Sequence, residues 1–178
     1  MKFLGVSGSL RKASFNSALL REASKLVPAG VEMEIRTLEA LPILNPDNLE
    51  SGFPDSVNDL ARALKQADAL VLASPEFNYS VTAVMKNAID WLSVHPDAPL
   101  RAKPVALMSA SPSAFGGGRA QYHLREILIY PGARVLGVPE VMVANAFDAF
   151  NTQGELTNQA SKALITQQMQ ALGAMAKA

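Results

Sequence analysis

Short apolar runs alternate with helical segments along the whole of this chain. The runs ALVLA at 69–73 and PVALMS at 104–109 are almost wholly apolar, which is typical of strands that are covered on both faces. Segments such as 55–67 instead repeat their apolar residues at helical spacing. This alternation predicts an α/β fold, in which a parallel sheet carries helices on both faces. The predicted strands are 2–7, 31–37, 69–73, 104–109 and one within 134–144, and the predicted helices are 16–27, 55–67, 80–93, 119–130 and 158–176.

The carboxyl ends of the strands are where a sheet of this kind binds its ligands. In the predicted arrangement three loops leave those ends, and they span 8–16, 74–80 and 110–118. We therefore expect a binding site to be built from these three loops.

The composition narrows the class of protein. The 178 residues suffice for one domain, which we predict over 1–178. The 16 basic and 16 acidic residues cancel, so the net charge favours neither nucleic acid nor an anionic membrane as a partner. Cysteine is absent, and neither His95 nor His123 has a partner at metal-ligand spacing, so we expect no metal site. Without a signal-peptide pattern or an apolar run of membrane-spanning length, the protein is expected to be cytoplasmic.

The loop after the first predicted strand is rich in hydrogen-bond donors and leads directly into a helix. The N-terminus of a helix carries free N–H groups and a positive dipole end, which together favour an anion. The loop therefore predicts an anion site, most simply for a phosphate. The alternative is ordinary helix capping, which needs only one such residue. The donors are the hydroxyls of Ser7, Ser9, Ser14 and Ser17, the Asn16 amide and the Arg11 guanidinium.

Two common nucleotide motifs are missing from this loop. The sequence has neither the G-x-G-x-x-G fingerprint of dinucleotide-binding folds nor the G-x-x-x-x-G-K-[ST] phosphate loop. In the dinucleotide fingerprint, glycines let the backbone come close to a pyrophosphate. A longer loop that is rich in hydroxyl groups is better suited to a terminal phosphomonoester.

Three motifs resemble those of the NADPH-dependent FMN reductase family. They are GSLRKASFN at 8–16, PEFNYS…KNAIDW within 75–91, and GGGRAQYHLR at 116–125, of which the last is similar to a motif of the quinone and chromate reductase branch. The resemblance runs from Lys2 to about Val143. It implies a flavodoxin-like three-layer α/β/α sandwich with a five-stranded parallel sheet in the order 2-1-3-4-5.

The same resemblance implies an activity. A protein of this family is an NAD(P)H oxidoreductase that holds FMN and passes hydride to quinones or other small acceptors, with chromate, azo compounds and free flavin as further possibilities. NADPH and NADH both remain open as the hydride donor. A flavodoxin-like electron carrier without enzymatic activity is the alternative, although such carriers are usually strongly acidic and this chain is not. A flavin-free phospholigand-binding module is a second alternative.

The resemblance also implies FMN-binding residues in all three loops. Glycine in the third loop is expected where the backbone must approach the flavin ring closely. The chain departs from the family at Phe77, where tyrosine is usual, and at Thr82 and Ala83, where proline and glycine are common. The implied residues are Ser9, Leu10, Arg11, Lys12, Ala13, Ser14, Phe15 and Asn16 at the phosphate, Pro75, Glu76, Phe77 and Asn78 along the ribityl chain and ring, and Ser111, Gly116 and Gly117 at the ring's other side.

Assembly is the last property that the resemblance implies. Similar proteins use the helices at 80–93 and 119–130 as subunit interfaces beside the flavin, so a homodimer or homotetramer is expected. Glu140 is expected to meet Arg119 or Tyr122 across subunits. The interface residues named on this basis are Arg119, Tyr122, Arg125 and Glu140.

Overall fold

The computed structural model describes residues 1–178, with the side chains of all of them except Asn48 and Ser51. One parallel sheet of six strands carries helices on both faces. The strands are β1 (Lys2–Ser7), β2 (Glu32–Arg36), β3 (Ala69–Ala73), β4 (Pro104–Ala110), β5 (Arg134–Val135) and β6 (Val141–Val143), and the helices are α1 (Phe15–Lys25), α2 (Asp55–Gln66), α3 (Ala83–Val94), α4 (Gly118–Ile127), α5 (Ala146–Ala149) and α6 (Gln159–Lys177), with a 3-10 turn at Pro46–Ser51.

The sheet has the predicted parallel topology. Its order is β2-β1-β3-β4-β5, with β6 also paired to β4, which confirms the 2-1-3-4-5 arrangement. The prediction of one strand within 134–144 was wrong, because that segment forms two short strands. β5 pairs with the start of β4 and β6 with its end. Pro139 lies between them, and a proline cannot donate to a sheet ladder.

Apolar side chains of the central strands alternate between two cores. In β3, Val71 packs with the helices α1 and α6 on one face, whereas Leu70 and Leu72 pack with α2, α3 and α4 on the other. All five residues of β3 are buried, as the continuous apolar run predicted. No helix in the described part of the chain is long and apolar enough to cross a membrane.

The start of α3 differs from the prediction. The sequence favoured a helix from Ser80, but α3 begins at Ala83 with Thr82 as its N-cap, whose side chain accepts a hydrogen bond from the Met85 N–H. Ser80 instead closes a tight turn with Phe77 and its hydroxyl contacts His123 Nδ1 at 2.9 Å.

His95 stabilises the turn that follows α3. Its side chain is buried, Nδ1 accepts a hydrogen bond from the Asp97 N–H, and Nε2 lies 3.2 Å from Asn58 Oδ1. Because Nδ1 accepts, Nε2 is the nitrogen that donates. His95 does not line the cleft described below.

Asn16 fixes the start of α1 against the end of β4. Its side-chain amide donates to the Ala110 carbonyl at 2.9 Å and accepts from the Ala110 N–H at 3.0 Å. The residue is buried, so both partners depend on it. This pair holds the loop after β1 beside the loop after β4.

We expect Asn16→Ala to lower the free energy of unfolding of the protein without added ligand by about 2–4 kcal/mol, because two buried backbone groups lose their partner. Urea unfolding followed by circular dichroism measures the change. Asn158→Ala is the matched control: this exposed Asn caps α6 through one bond from the Ser161 N–H, and its loss should cost about 1 kcal/mol. Equal losses in the two variants would contradict the role given to Asn16.

Candidate functional site

A cleft of about 210 Å³ lies at the carboxyl ends of β1, β3 and β4. The three loops that the topology rule selected all contribute to it, because parallel strands deliver their following loops to one edge of the sheet. The cleft is lined by Ser9, Arg11, Ser14, Phe15, Asn16, Pro75, Glu76, Phe77, Ala110, Ser111 and Pro112.

One end of the cleft offers hydrogen-bond donors. Helix α1 begins here, so the N–H groups of Phe15 and Asn16 have no partner within the helix. Ser14 Oγ accepts from the Ser17 N–H, and Ser9 Oγ accepts from the Arg11 N–H. Each hydroxyl accepts this bond through an oxygen lone pair, so its own hydrogen remains available to donate to a ligand. This end of the cleft is suited to an anion.

Some of the predicted donors serve the loop itself. The hydroxyls of Ser7 and Ser17 lie 2.8 Å apart, and Ser7 Oγ also accepts from the Ser9 N–H. Asn16 lines the cleft, but its amide is joined to the main chain of Ala110. The hydroxyls of Ser9 and Ser14 and the Arg11 guanidinium are therefore the side-chain donors left for a ligand.

The other walls of the cleft are largely apolar. Pro75 and Phe77 line one side, and Ala110 and Pro112 line another. Phe15 also lines the cleft, and its ring packs against two further aromatic rings, Phe147 at 5.4 Å and Phe150 at 5.2 Å. Sequence reasoning missed Phe147 and Phe150, although a pair of aromatics directly after the last strand was a visible signal.

Glu76 in the second loop forms an ion pair with Arg119 at the start of α4. Glu76 Oε1 accepts from the Arg119 guanidinium at 3.0 Å, and Oε2 accepts from the Arg119 backbone N–H at 3.1 Å. The guanidinium is stacked between the rings of Tyr79 and Phe115, at 4.1 and 4.2 Å from their centroids. Such contacts add to the ion pair at a partly buried site. The carboxylate is therefore held in a fixed orientation at the cleft wall.

A tight turn shapes the second loop. Phe77 and Ser80 exchange two backbone hydrogen bonds, and Asn78 and Tyr79 between them both have positive φ. This is the geometry of a type I′ turn, which asparagine tolerates better than most residues. Asn78 lies at the exposed tip and does not line the cleft.

The glycines of the third loop face the sheet. A Cβ on Gly117 would lie 2.8 Å from Ser109 Cβ, and one on Gly116 would lie 2.8 Å from the Met142 carbonyl carbon. Both glycines also have positive φ, 56° and 87° for Gly116 and Gly117. These glycines let the loop pack closely on β4 and β6. They are not among the lining residues of the cleft, and their approach to a flavin ring stays a prediction.

Of the other residues named from the sequence, several lie outside the cleft lining. Leu10, Lys12 and Ala13 belong to the exposed part of the first loop. Arg125 donates to the Leu136 carbonyl at 2.8 Å and pairs with Glu140 of the same chain at 3.4 Å. Arg119 likewise pairs with Glu76. Three of the four expected interface residues therefore form ion pairs within the chain, and the exception is Tyr122.

Comparison with known proteins gives the family. The profile of the NADPH-dependent FMN reductase family matches residues 1–148. The chain belongs to the NADPH-dependent FMN reductase family. Within it, the chain is 46% identical over 172 residues to an NAD(P)H-dependent FMN reductase of Pseudomonas aeruginosa, covering 97% of this chain and 93% of that protein. It is 42% identical over 169 residues to a quinone reductase of Escherichia coli, covering 93% of this chain and 90% of that protein.

A solved structure from the same group of flavoenzymes has the same fold. FerB from Paracoccus denitrificans, an NAD(P)H:acceptor oxidoreductase, superposes with a TM-score of 0.89 at 28% identity, covering 99% of this chain and 97% of that one. The resemblance inferred from the loop motifs is thus confirmed over nearly the whole chain.

In this FMN reductase family member, Gly117→Ala is expected to destabilise the fold by about 2–5 kcal/mol, since the new methyl group meets Ser109 and the backbone has positive φ. Gly132→Ala is the control: it has a φ of 74° but no atom within 4 Å of the added Cβ, so only the conformational cost of about 1 kcal/mol remains. Thermal unfolding without FMN compares the two. A Gly117→Ala protein as stable as the control would mean that the contact with Ser109 relaxes freely.

Proposed function

We propose that this protein binds FMN in the cleft after β1, β3 and β4 and acts as an NAD(P)H oxidoreductase that reduces quinones or similar small acceptors. The observation that carries the proposal is the division of one cleft into a donor-rich end and a largely apolar end. FMN has the same division, with a phosphate at one end and a flat ring system at the other.

The donor set fits the phosphate. Ser9 and Ser14 each have a hydroxyl hydrogen left to donate, and the first N–H groups of α1 are free within the helix. Arg11 lines the same end and supplies a positive charge. All of these groups can donate hydrogen bonds, and a phosphate dianion offers only acceptors, so the two are complementary.

The apolar end fits a planar ring. Pro75, Phe77 and Pro112 can exclude water from such a ring without competing for its hydrogen bonds. Both Glu76 oxygens accept bonds from Arg119, so this carboxylate is held in place as part of the cleft wall. When bound, FMN supplies the reversible two-electron carrier that an exchange between a nicotinamide and an acceptor needs.

Exposed aromatic side chains suggest the class of acceptor. Phe77 lines the cleft and is exposed, and exposed aromatic rings favour flat molecules. Quinones are the class that we propose, with azo compounds, chromate and free flavin as further acceptors. NADPH or NADH would use the same place in turn, which predicts ping-pong kinetics. A cytoplasmic location, where these nicotinamides are abundant, is part of the proposal.

Two measurements test the proposal. The visible spectrum of the purified protein with added FMN reports cofactor binding, and the rate of NAD(P)H oxidation with and without a water-soluble quinone reports the activity. Bound FMN and a quinone-dependent rate with either nicotinamide are expected. A protein that binds FMN but oxidises neither nicotinamide would instead be an electron carrier, and one that binds no FMN would refute the cofactor assignment.

Arg11→Ala should weaken FMN binding by about ten- to a hundredfold, because a hydrogen bond to a charged group is worth about 1.5–3 kcal/mol. Fluorescence titration at fixed ionic strength measures the dissociation constant. Lys12→Ala removes a neighbouring positive charge that does not line the cleft, and its effect should be within about threefold. If both variants lose affinity equally, the effect is that of net charge and Arg11 does not contact the phosphate.

We also propose a homodimer or homotetramer that uses α4. The segment from α4 to the start of β6 exposes large apolar side chains, with Tyr122, Ile129 and Val138 exposed by 54%, 74% and 75%. Exposed apolar groups of this size favour association with another copy.

Light scattering of the unmodified protein at micromolar concentration should give the mass of a dimer or tetramer, and Ile129→Glu should shift it to smaller species. Leu164→Glu, at an exposed position of α6 on the opposite face of the sheet, should leave the mass unchanged. A monomeric unmodified protein would contradict the assembly.

A further inference from the structure

Thr82 links the start of α3 to the first residue of the loop after β1. Its hydroxyl donates to the Gly8 carbonyl at 2.7 Å and accepts from the Met85 N–H at 3.3 Å. The residue is buried, and 74 positions of sequence separate it from Gly8. Thr82 does not line the cleft. The family motifs did not mark it as a binding residue either.

The bond to Gly8 fixes the orientation of one peptide group. In a planar trans peptide the carbonyl and the following N–H point to opposite sides. With the Gly8 carbonyl directed at Thr82, the Ser9 N–H is directed away, and it donates to Ser7 Oγ at 3.3 Å. The peptide between Gly8 and Ser9 is therefore held at both of its polar ends.

Close packing leaves this peptide little room to move. A Cβ on Gly8 would lie 2.9 Å from Ser74 Oγ and 3.0 Å from Met85 Cε. The Gly8 N–H also donates to the Ala73 carbonyl at 2.8 Å, as a continuation of the sheet. Gly8 is thus held between the end of β3 and the first turn of α3.

We propose that Thr82 is a positioning residue for the FMN phosphate. Ser9 directly follows the fixed peptide, and its hydroxyl is one of the donors left for the ligand. The Arg11 N–H in turn donates to Ser9 Oγ, so the orientation set at Gly8 is passed on to Arg11. Thr82 acts through the loop and does not touch the cofactor. This inference rests on the proposed function, since it concerns the phosphate end of the same cleft.

The experiment compares two flavins that differ by the phosphate. FMN and riboflavin are titrated into the unmodified protein and into Thr82→Val, which keeps the shape of the side chain and removes its hydroxyl. We expect Thr82→Val to bind FMN about tenfold more weakly, equivalent to about 1.4 kcal/mol, and to bind riboflavin within about twofold of the unmodified protein. Thr82→Ser, which restores the hydroxyl, should return FMN affinity to within about twofold.

Two further variants complete the design. Thr82→Ala also lacks the hydroxyl and leaves the φ of −71° at this position unstrained, so it replaces Thr82→Val if the valine variant does not fold. Thr166→Val removes a hydroxyl that donates within α6, to the Lys162 carbonyl at 3.0 Å, and should change neither affinity.

Equal losses for FMN and riboflavin in the Thr82 variants would overturn the inference, because they would indicate a general loss of structure. So would a Thr82→Ser protein that binds FMN as weakly as Thr82→Val. An unmodified protein that binds FMN no better than riboflavin would instead overturn the phosphate site of the proposed function, and the positioning role with it.

Discussion

The paired hydrogen bonds between the Asn16 amide and the main chain of Ala110 hold the two halves of the site together. Asn16 belongs to the first turn of α1, where the anion end of the cleft lies, and Ala110 ends the strand whose following loop forms an apolar wall. Because both bonds are buried, neither partner can turn to water without loss. Whatever the cleft binds, the distance between its polar and apolar ends depends on this contact.

Side chains outside the cleft carry much of its organisation. Arg119 holds Glu76 from the start of α4, and Thr82 holds Gly8 from the start of α3. In each case a side chain at the start of a helix that packs on the sheet forms a hydrogen bond to a loop residue and so restricts the motion of the loop. The cleft is thereby prepared before a ligand arrives, which reduces the ordering that binding must supply.

The sequence was sufficient for the parts of the molecule that depend on local pattern. Continuous apolar runs predicted the buried strands, and alternation predicted the parallel sheet and the three loops at its edge. It failed where a side chain has a choice of partners. The hydroxyl of Ser7 pairs with that of Ser17, and Ser80 contacts His123 while Thr82 caps α3. Such outcomes depend on how loops and helices pack together, which no local pattern records.

The interruption of the last strand also affects how the molecule can meet other chains. β5 and β6 have only two and three residues. The Gln168 side-chain amide donates to the Leu107 carbonyl of β4 and to the carbonyl of Pro139, which lies between β5 and β6. The opposite edge, β2, carries Glu32, Glu34 and Arg36. Short or charged edges are poor templates for added strands, so both sides of the sheet resist the edge-to-edge growth that leads to fibrils.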